Sequence, residues 1–280
     1  MEGLDELAEK AIDKKELKTV DKEFAESAIR RVISQNPELY EEAKAKRFNE
    51  RSREYKALLK EIRRKMRELY GSFSKTKITK EKKEKIIQQI KEGDEKALKA
   101  ILSSHFSTYE RLPYYEEIYR DIVGKTNSIM DLGCGYNPFS YKYLEGNPKY
   151  YACDISYEDV KLIQKYFDLE NIKGISEKRD LTKKEDLEEI HKKSKDYETC
   201  FLFKIMDTLE GLKWDASKHL LQGLECEKLI ISVAVKALGG RVEIKSKRPW
   251  LERFISELEG FDREDIVIGT EKYIILKKSS

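Results

Sequence analysis

The chain has 280 residues, of which 39% are Asp, Glu, Lys or Arg, with four cysteines, three histidines and a formal net charge of +3. That length suits one large domain and a smaller one. No apolar run approaches a membrane span, the charged N-terminus carries no signal-peptide pattern, and Cys134, Cys153, Cys200 and Cys226 form no C-x-x-C pair. Membrane proteins, disulfide scaffolds and cysteine-based metal sites are therefore set aside, and a cytoplasmic location is expected.

Helices are predicted over residues 4–17 and 21–34, with Asp21 as an N-cap and Asn36-Pro37 ending the second. The stretch 38–70 reads as largely helical. Tyr55, Leu58, Leu59, Ile62, Met66 and Leu69 recur at spacings of three and four, and Arg47, Arg51, Lys60, Arg63, Arg64 and Arg67 occupy the remaining surface. Gly71-Ser72-Phe73-Ser74 reads as a turn. Thr79 can cap a helix beginning at Lys80, and Gly93-Asp94 separates that helix from one ending near Leu102. Together these predict an all-helical accessory domain over 1–104. Residues 44–91 hold 18 basic and 6 acidic side chains, whereas residues 1–43 hold 7 and 12. Lysine-rich helices are often only solvated faces. A gathering of Lys and Arg on one region is also what an RNA-docking module requires.

From residue 105 the pattern changes to strands alternating with helices, which predicts an α/β fold with a parallel, doubly wound sheet. A first strand ends in Ser128-Ile129-Met130-Asp131-Leu132-Gly133-Cys134-Gly135. A second is Tyr150–Asp154, a third lies around 172–176 and leads to Arg179-Asp180, and a fourth, 199–204, is almost wholly apolar. Helices are expected at 157–167 and 183–193, and a closing hairpin at 265–269 and 273–277. Glycines after the first strand let the backbone turn tightly beside a ligand. Position 138 is proline where a dinucleotide site places its third glycine, and no phosphate-cradling lysine follows. An acid two residues before the first glycine suits a ligand with a positive centre and no phosphate. S-adenosylmethionine has that character. Asp154 suits its ribose, because a carboxylate accepts two hydrogen bonds at once.

Four segments extend the pattern. They are His105-Phe106-Ser107-Thr108-Tyr109-Glu110-Arg111-Leu112-Pro113, Asp131 to Pro138, Phe201 to Met206, and Ile231 to Arg241. In order and spacing they resemble the Arm family of 16S ribosomal RNA (guanine-N7) methyltransferases, the FmrO-like enzymes of the aminoglycoside-resistance type. The resemblance runs from about His105 to the C-terminus, with Ala234 standing in the family's proline position and Ala237 in its serine position. It implies a class I methyltransferase sheet over 105–280 that uses S-adenosylmethionine. The cofactor contacts it implies are His105, Thr108, Arg111, Asp131, Gly133, Gly135, Asn137, Asp154, Ile155, Asp180, Leu181 and Lys204. Asp131 is expected to orient the glycine turn and the ammonium of the ligand. Arg111 is expected to fork onto a carboxylate, its alternative being an ion pair with Glu110 or Glu116. Asp180 is expected at the adenine amino group with Leu181 on the ring, its alternative being a helix cap.

Methylation of guanine N7 needs no general base, because that nitrogen carries a lone pair and no proton; alignment of the reactants dominates. No catalytic residue is assigned with certainty, and Lys204, Lys236 and Arg241 are positioning candidates for phosphate or the guanine edge. Tyr109, Tyr136, Phe139 and Trp250 are candidates to stack on an everted base. The expected partner is ribosomal RNA or the 30S subunit, docked through residues 44–91, with the chain acting as a monomer and without a metal. Transfer RNA or a small molecule is the alternative substrate, and a catalytically silent ribosome-assembly factor the non-enzyme alternative.

Overall fold

The computed structural model describes residues 3–14, 17, 22–66, 78–236 and 248–279. The readings placed on Asp21, Arg67, Leu69, the turn at 71–74, Ala237 and Arg241 lie outside them. The chain divides into two compact units, one of residues 1–73 with 211–214, the other of residues 74–210 with 215–280. The division therefore falls some thirty residues before the expected boundary at 104, and the helices over 80–103 belong with the sheet.

The first unit contains α1 (Leu4–Ile12), α2 (Lys22–Gln35), α3 (Pro37–Ala45) and α4 (Arg53–Met66). Pro37 sits at the first helical position of α3, where its missing N–H costs nothing. Within the stretch read as largely helical, the residues up to Met66 form two helices, α3 and α4. Arg47 and Phe48 both have positive φ, 52° and 51°. The Phe48 N–H reaches back to the Ala43 carbonyl at 3.0 Å, ending α3. Burial of the Phe48 ring, 5.8 Å from that of Tyr40, offsets the strain that a side chain meets in this conformation. Tyr55, Leu58, Ile62 and Met66 form the buried stripe of α4, as their spacing predicts. Arg53, Lys56, Lys60 and Arg64 are exposed on its outer surface.

The second unit opens with α5 (Lys80–Lys91), capped by the Thr79 hydroxyl, and α6 (Glu95–Ser103), whose Asp94 cap accepts from the N–H groups of Lys96 and Ala97. Next come α7 (Phe106–Arg111), α8 (Tyr115–Glu117) and a π-helical turn at Ile118–Val123. The sheet strands are β1 (Ser128–Leu132), β2 (Lys149–Asp154), β3 (Gly174–Lys178), β4 (Thr199–Phe203), β5 (Lys228–Ala234), β6 (Phe261–Ile268) and β7 (Glu271–Lys278). Their order is β3-β2-β1-β4-β5-β7-β6, parallel except for the β7 pairings. Between the strands run α9 (Tyr157–Leu169), α10 (Lys184–Ser194), α11 (Met206–Leu212), α12 (Ala216–Gln222) and α13 (Pro249–Ser256).

Alternation along the strands explains why both faces are covered. Ile129, Tyr150, Ala152, Phe201, Phe203 and Tyr273 pack in one core with residues of α5, α6 and α9. Met130, Leu132, Tyr151, Cys153, Leu202 and Ile231 pack in the other with α10 to α13. All four cysteines are free and buried in these cores or at their edge. Among the described residues, no helix is long and apolar enough to cross a membrane. The strand order reverses direction between β1 and β4, so the crevice beyond their carboxyl ends is the natural ligand position.

Ile62 is fully buried in the helical unit. Replacing it with alanine is expected to cost that unit about 2–5 kcal/mol, read as a lower denaturant midpoint for the first unit in hydrogen-exchange or proteolysis profiles.

Candidate active site

The turn after β1 is built by two glycines in the left-handed region, Gly133 at φ 64° and Gly135 at φ 49°. A side chain at 133 would also collide with Ile205, whose Cδ1 lies 2.6 Å from an ideal Cβ, and one at 135 would press on the His105 ring. Parallel pairing of β1 with β2 brings this turn to the end of β2. There Cys134 N–H donates to the Cys153 carbonyl, and Gly135 N–H donates to Asp154 Oδ2 at 2.9 Å. The other Asp154 oxygen accepts from Ser156 N–H at 3.0 Å. Burial pushes the Asp154 carboxyl up, and these two N–H groups oppose the shift. Ser156, not Asp154, caps α9.

A buried polar cluster lies beside the turn. Asn137 is its bridge. Its Oδ1 accepts from Arg111 Nη1 at 3.3 Å and from the Tyr115 hydroxyl at 3.1 Å, while its Nδ2 donates to Asp131 Oδ2 at 2.9 Å. The Tyr150 hydroxyl donates to the same Asp131 oxygen at 2.7 Å. Arg111 Nε forks onto both oxygens of Glu271 at 3.0 and 3.1 Å, and its guanidinium lies 4.8 Å from the centre of the Phe203 ring. Its ion partner is thus neither Glu110 nor Glu116 but an acid 160 residues away in sequence, at the start of β7. Lys204 pairs with Glu110 and, at 3.1 Å, with Glu271, and the Ser232 hydroxyl donates to Glu271 at 2.7 Å. Burial raises the Glu271 carboxyl, but Arg111 and Lys204 more than offset this and hold it below the usual range. Lys204 has φ 57°, a strained conformation held by the bond from its N–H to the Ser232 carbonyl at 3.0 Å.

Among the described residues, two buried atoms of this cluster have no hydrogen-bond partner: Arg111 Nη2, a donor, and Asp131 Oδ1, an acceptor. An unpaired buried polar atom is costly, so such a pair marks a place for a ligand. One side chain, Asn137, separates them. A zwitterionic amino-acid group offers the complement, a carboxylate for the guanidinium and an ammonium for the aspartate. Asp131 is pushed up to about 6 by burial, opposed by the bonds from Asn137 and Tyr150. A cation at Oδ1 would bring it down again.

The other expected contacts differ in what they can offer. His105 is buried, its ring 5.5 Å from that of Tyr136, and burial lowers it to about 4, so it stays neutral. Thr108 directs its hydroxyl to the backbone carbonyls of Leu102 and His105, where it joins α6 to α7. Asp180 does not cap α10, whose N-cap is Lys183. Its Oδ1 instead accepts from the N–H and hydroxyl of Thr182 at 2.9 and 2.7 Å, which shapes the turn carrying buried Leu181. Ile155 is half-buried just after Asp154. Lys236 follows β5 and is half-buried. Of the aromatic candidates, Tyr136 and Phe139 are buried, and Trp250 packs 5.7 Å from Phe254; Tyr109 is 44% exposed. Glu271, Tyr115, Tyr150 and Ser232 carry the cluster without having been singled out in the sequence. The local signal of Glu271, Tyr150 and Ser232 is an acid or hydroxyl within an apolar strand, and Tyr115 stands on the short helix α8. Among the described residues, no group of His, Cys, Asp and Glu is placed to hold a metal ion.

The profile of the family described as ribosomal RNA methyltransferase (FmrO) matches residues 35–275. The chain belongs to this family. It is 26% identical over 246 residues to a 16S rRNA (guanine(1405)-N(7))-methyltransferase of Proteus mirabilis, covering 80% of this chain and 85% of that protein. A protein of the same name from Serratia marcescens is 26% identical over 189 residues, covering 65% of this chain and 70% of that one. The solved structure of 16S rRNA methyltransferase RmtF in complex with S-adenosyl-L-homocysteine superimposes with a TM-score of 0.73 at 23% identity, covering 100% of this chain and 99% of the other. That of the 16S rRNA methylase RmtB gives 0.66 at 18%, covering 99% and 98%. At these identities the structural likeness establishes the fold, a class I methyltransferase sheet.

The Asp131 carboxyl holds its proton more tightly in the folded chain, at about 6, than at its ordinary 3.8. It therefore favours the folded state fully below about pH 4, and this contribution is lost as pH rises through about 6. Asp131→Asn keeps an oxygen for Tyr150 and Asn137 and removes the titration. Its stability relative to the parent, without ligand, is expected to rise between pH 4 and pH 7 in thermal melts.

Proposed function

We propose that this chain transfers the methyl group of S-adenosylmethionine to a guanine N7 in 16S ribosomal RNA. The observation that carries the reading is the unpaired Arg111 Nη2 and Asp131 Oδ1 on either side of Asn137, next to the glycine turn at the switch point of the sheet. In this reading Arg111 holds the methionine carboxylate and Asp131 the ammonium. Asp154 accepts from the ribose hydroxyls through the lone pairs its two N–H bonds leave over. Ile155 and Leu181 wall the adenine, and Asp180 faces its amino group through Oδ2. S-adenosylmethionine supplies a methyl group on a sulfonium, to which the N7 lone pair adds as the sulfur leaves with its bonding electrons.

What remains for the protein is alignment and exclusion of water. Glu271, Arg111 and Lys204 form a rigid wall because each charge is paired. Lys204 is committed to two carboxylates, so it fixes the wall and does not serve as a phosphate contact. Tyr109, beside the wall residue Glu110 and partly exposed, suits stacking on an everted base. Lys236, half-buried after β5, suits the RNA backbone, and Arg241 is offered as a second cation for it from the sequence alone. The exposed Arg53, Lys56 and Lys60 of α4, together with Lys82, Lys85 and Lys91 of α5, suit docking on ribosomal phosphates.

The deciding experiment is transfer of labelled methyl to purified 30S subunits, free 16S RNA and bulk transfer RNA, with the modified base mapped. Label at a guanine N7 of 30S is expected. Label only in transfer RNA would replace the substrate, and cofactor binding without label in any of the three would favour the silent assembly factor. Asp131→Ala is expected to weaken S-adenosylhomocysteine binding roughly 10- to 100-fold. Lys56→Glu with Lys60→Glu is expected to weaken 30S binding and lower its salt dependence, read as the slope of log affinity against log salt.

A further inference from the structure

The glycine turn has a third tether besides its two bonds to β2. The hydroxyl of Tyr136, the residue after Gly135, donates to Asp159 Oδ1 at 2.9 Å. Lys83 Nζ of α5 donates to that same oxygen at 3.1 Å, and lies 5.0 Å from the centre of the Tyr136 ring. Asp159 is in the first turn of α9, its N–H bonded to the capping Ser156 hydroxyl. The Tyr136 ring packs on His105, and the His105 ring is the surface that a Cβ at Gly135 would strike. The ring of Tyr136 therefore sets the depth at which the backbone of 133–136 passes the ligand crevice.

Glycines at positive φ supply the turn with freedom and no packing of their own, so something else must select one conformation. The Lys83–Asp159 pair is about a quarter exposed on each side, and such pairs contribute little to stability. What it supplies is a single orientation of the Asp159 carboxylate, hence of the Tyr136 hydroxyl. We infer that Lys83, Asp159 and Tyr136 are positioning residues that hold the glycine turn in its cofactor-binding shape without touching the cofactor. This rests on the proposed S-adenosylmethionine site. It also links that site to α5, the helix whose outer surface carries Lys82 and Lys85.

The test uses the full chain with Tyr136→Phe, Asp159→Ala, Lys83→Met and the double variant Tyr136→Phe/Asp159→Ala. S-adenosylhomocysteine affinity is measured by calorimetry, with kcat and KM for S-adenosylmethionine on 30S and a thermal melt for each protein. Tyr136→Phe and Asp159→Ala are each expected to raise Kd and KM about 5- to 20-fold, since one hydrogen bond to a charged group is removed, with kcat within about twofold. The double variant is expected to be no weaker than the weaker single variant, because both break one linkage. Lys83→Arg is expected to restore most of what Lys83→Met loses. Unchanged affinity with only a lowered melting temperature would overturn the inference, as would additive losses. Tyr136→Phe removes one oxygen and keeps the ring, so it decides the matter if Asp159→Ala does not fold. A parent chain that binds no S-adenosylhomocysteine would instead overturn the site on which the inference stands.

Discussion

The buried pair between Arg111 and Glu271 is the constraint on which the site depends. It joins α7, which precedes the sheet in sequence, to the head of β7, which closes it. Two charges that far from water are tolerated only when both are paired and hydrogen-bonded. Here Lys204, Glu110 and Ser232 complete the set around Glu271, and Asn137 takes one arm of the guanidinium. Arg111 Nη2, which has no partner among the described residues, is aimed by all of those bonds together. Its direction is therefore a property of the whole domain and not of the α7 helix alone.

The same network explains the features of the turn. Asn137 can bridge Arg111 and Asp131 only because the two left-handed glycines bring the chain back across the end of β1. Pro138 follows at the start of the next helical turn, where a missing N–H is harmless. Asp131 pays for this arrangement with burial that disfavours its charge. The Asp131 Oδ1 and Arg111 Nη2 atoms left without partners among the described residues are the ones that the proposed contact with an amino-acid end group would use.

The appended helices obey a different logic. In the first unit the stripe of α4 and the aromatic contact of Tyr40 with Phe48 supply a small core. The basic residues are left on the outside, where their long stems cost little to solvate. In the second unit, α5 and α6 contribute Ile86, Ile87, Leu98 and Ile101 to one face of the sheet. A boundary placed by charge and helicity at 104 therefore differs from one placed by packing at 73 and 74. Charge patterning reports on surfaces, and the apolar stripes of α5 and α6 report on what lies beneath them.

Much of the fold was legible locally. The apolar strands, the glycine turn, the Asp154 strand end, the cap at Thr79 and the helix break at Gly93-Asp94 all follow from rules acting over a few residues. The break at Arg47 and Phe48 did not, because two non-glycine residues adopt positive φ there and tertiary burial of Phe48 outweighs local preference. The helix cap weighed as the alternative for Asp180 is a turn instead, since its carboxylate finds Thr182 two residues on before any helix begins. The sequence by itself determined the class of sheet and which acids stand beside the glycine turn. Only the tertiary structure decided that Arg111 answers to Glu271 across 160 residues and that Asn137 bridges it to Asp131. Local pattern fixes the backbone conformations available to a segment. Ion pairing in a buried site depends on which distant segments share one low-dielectric space, and packing alone settles that.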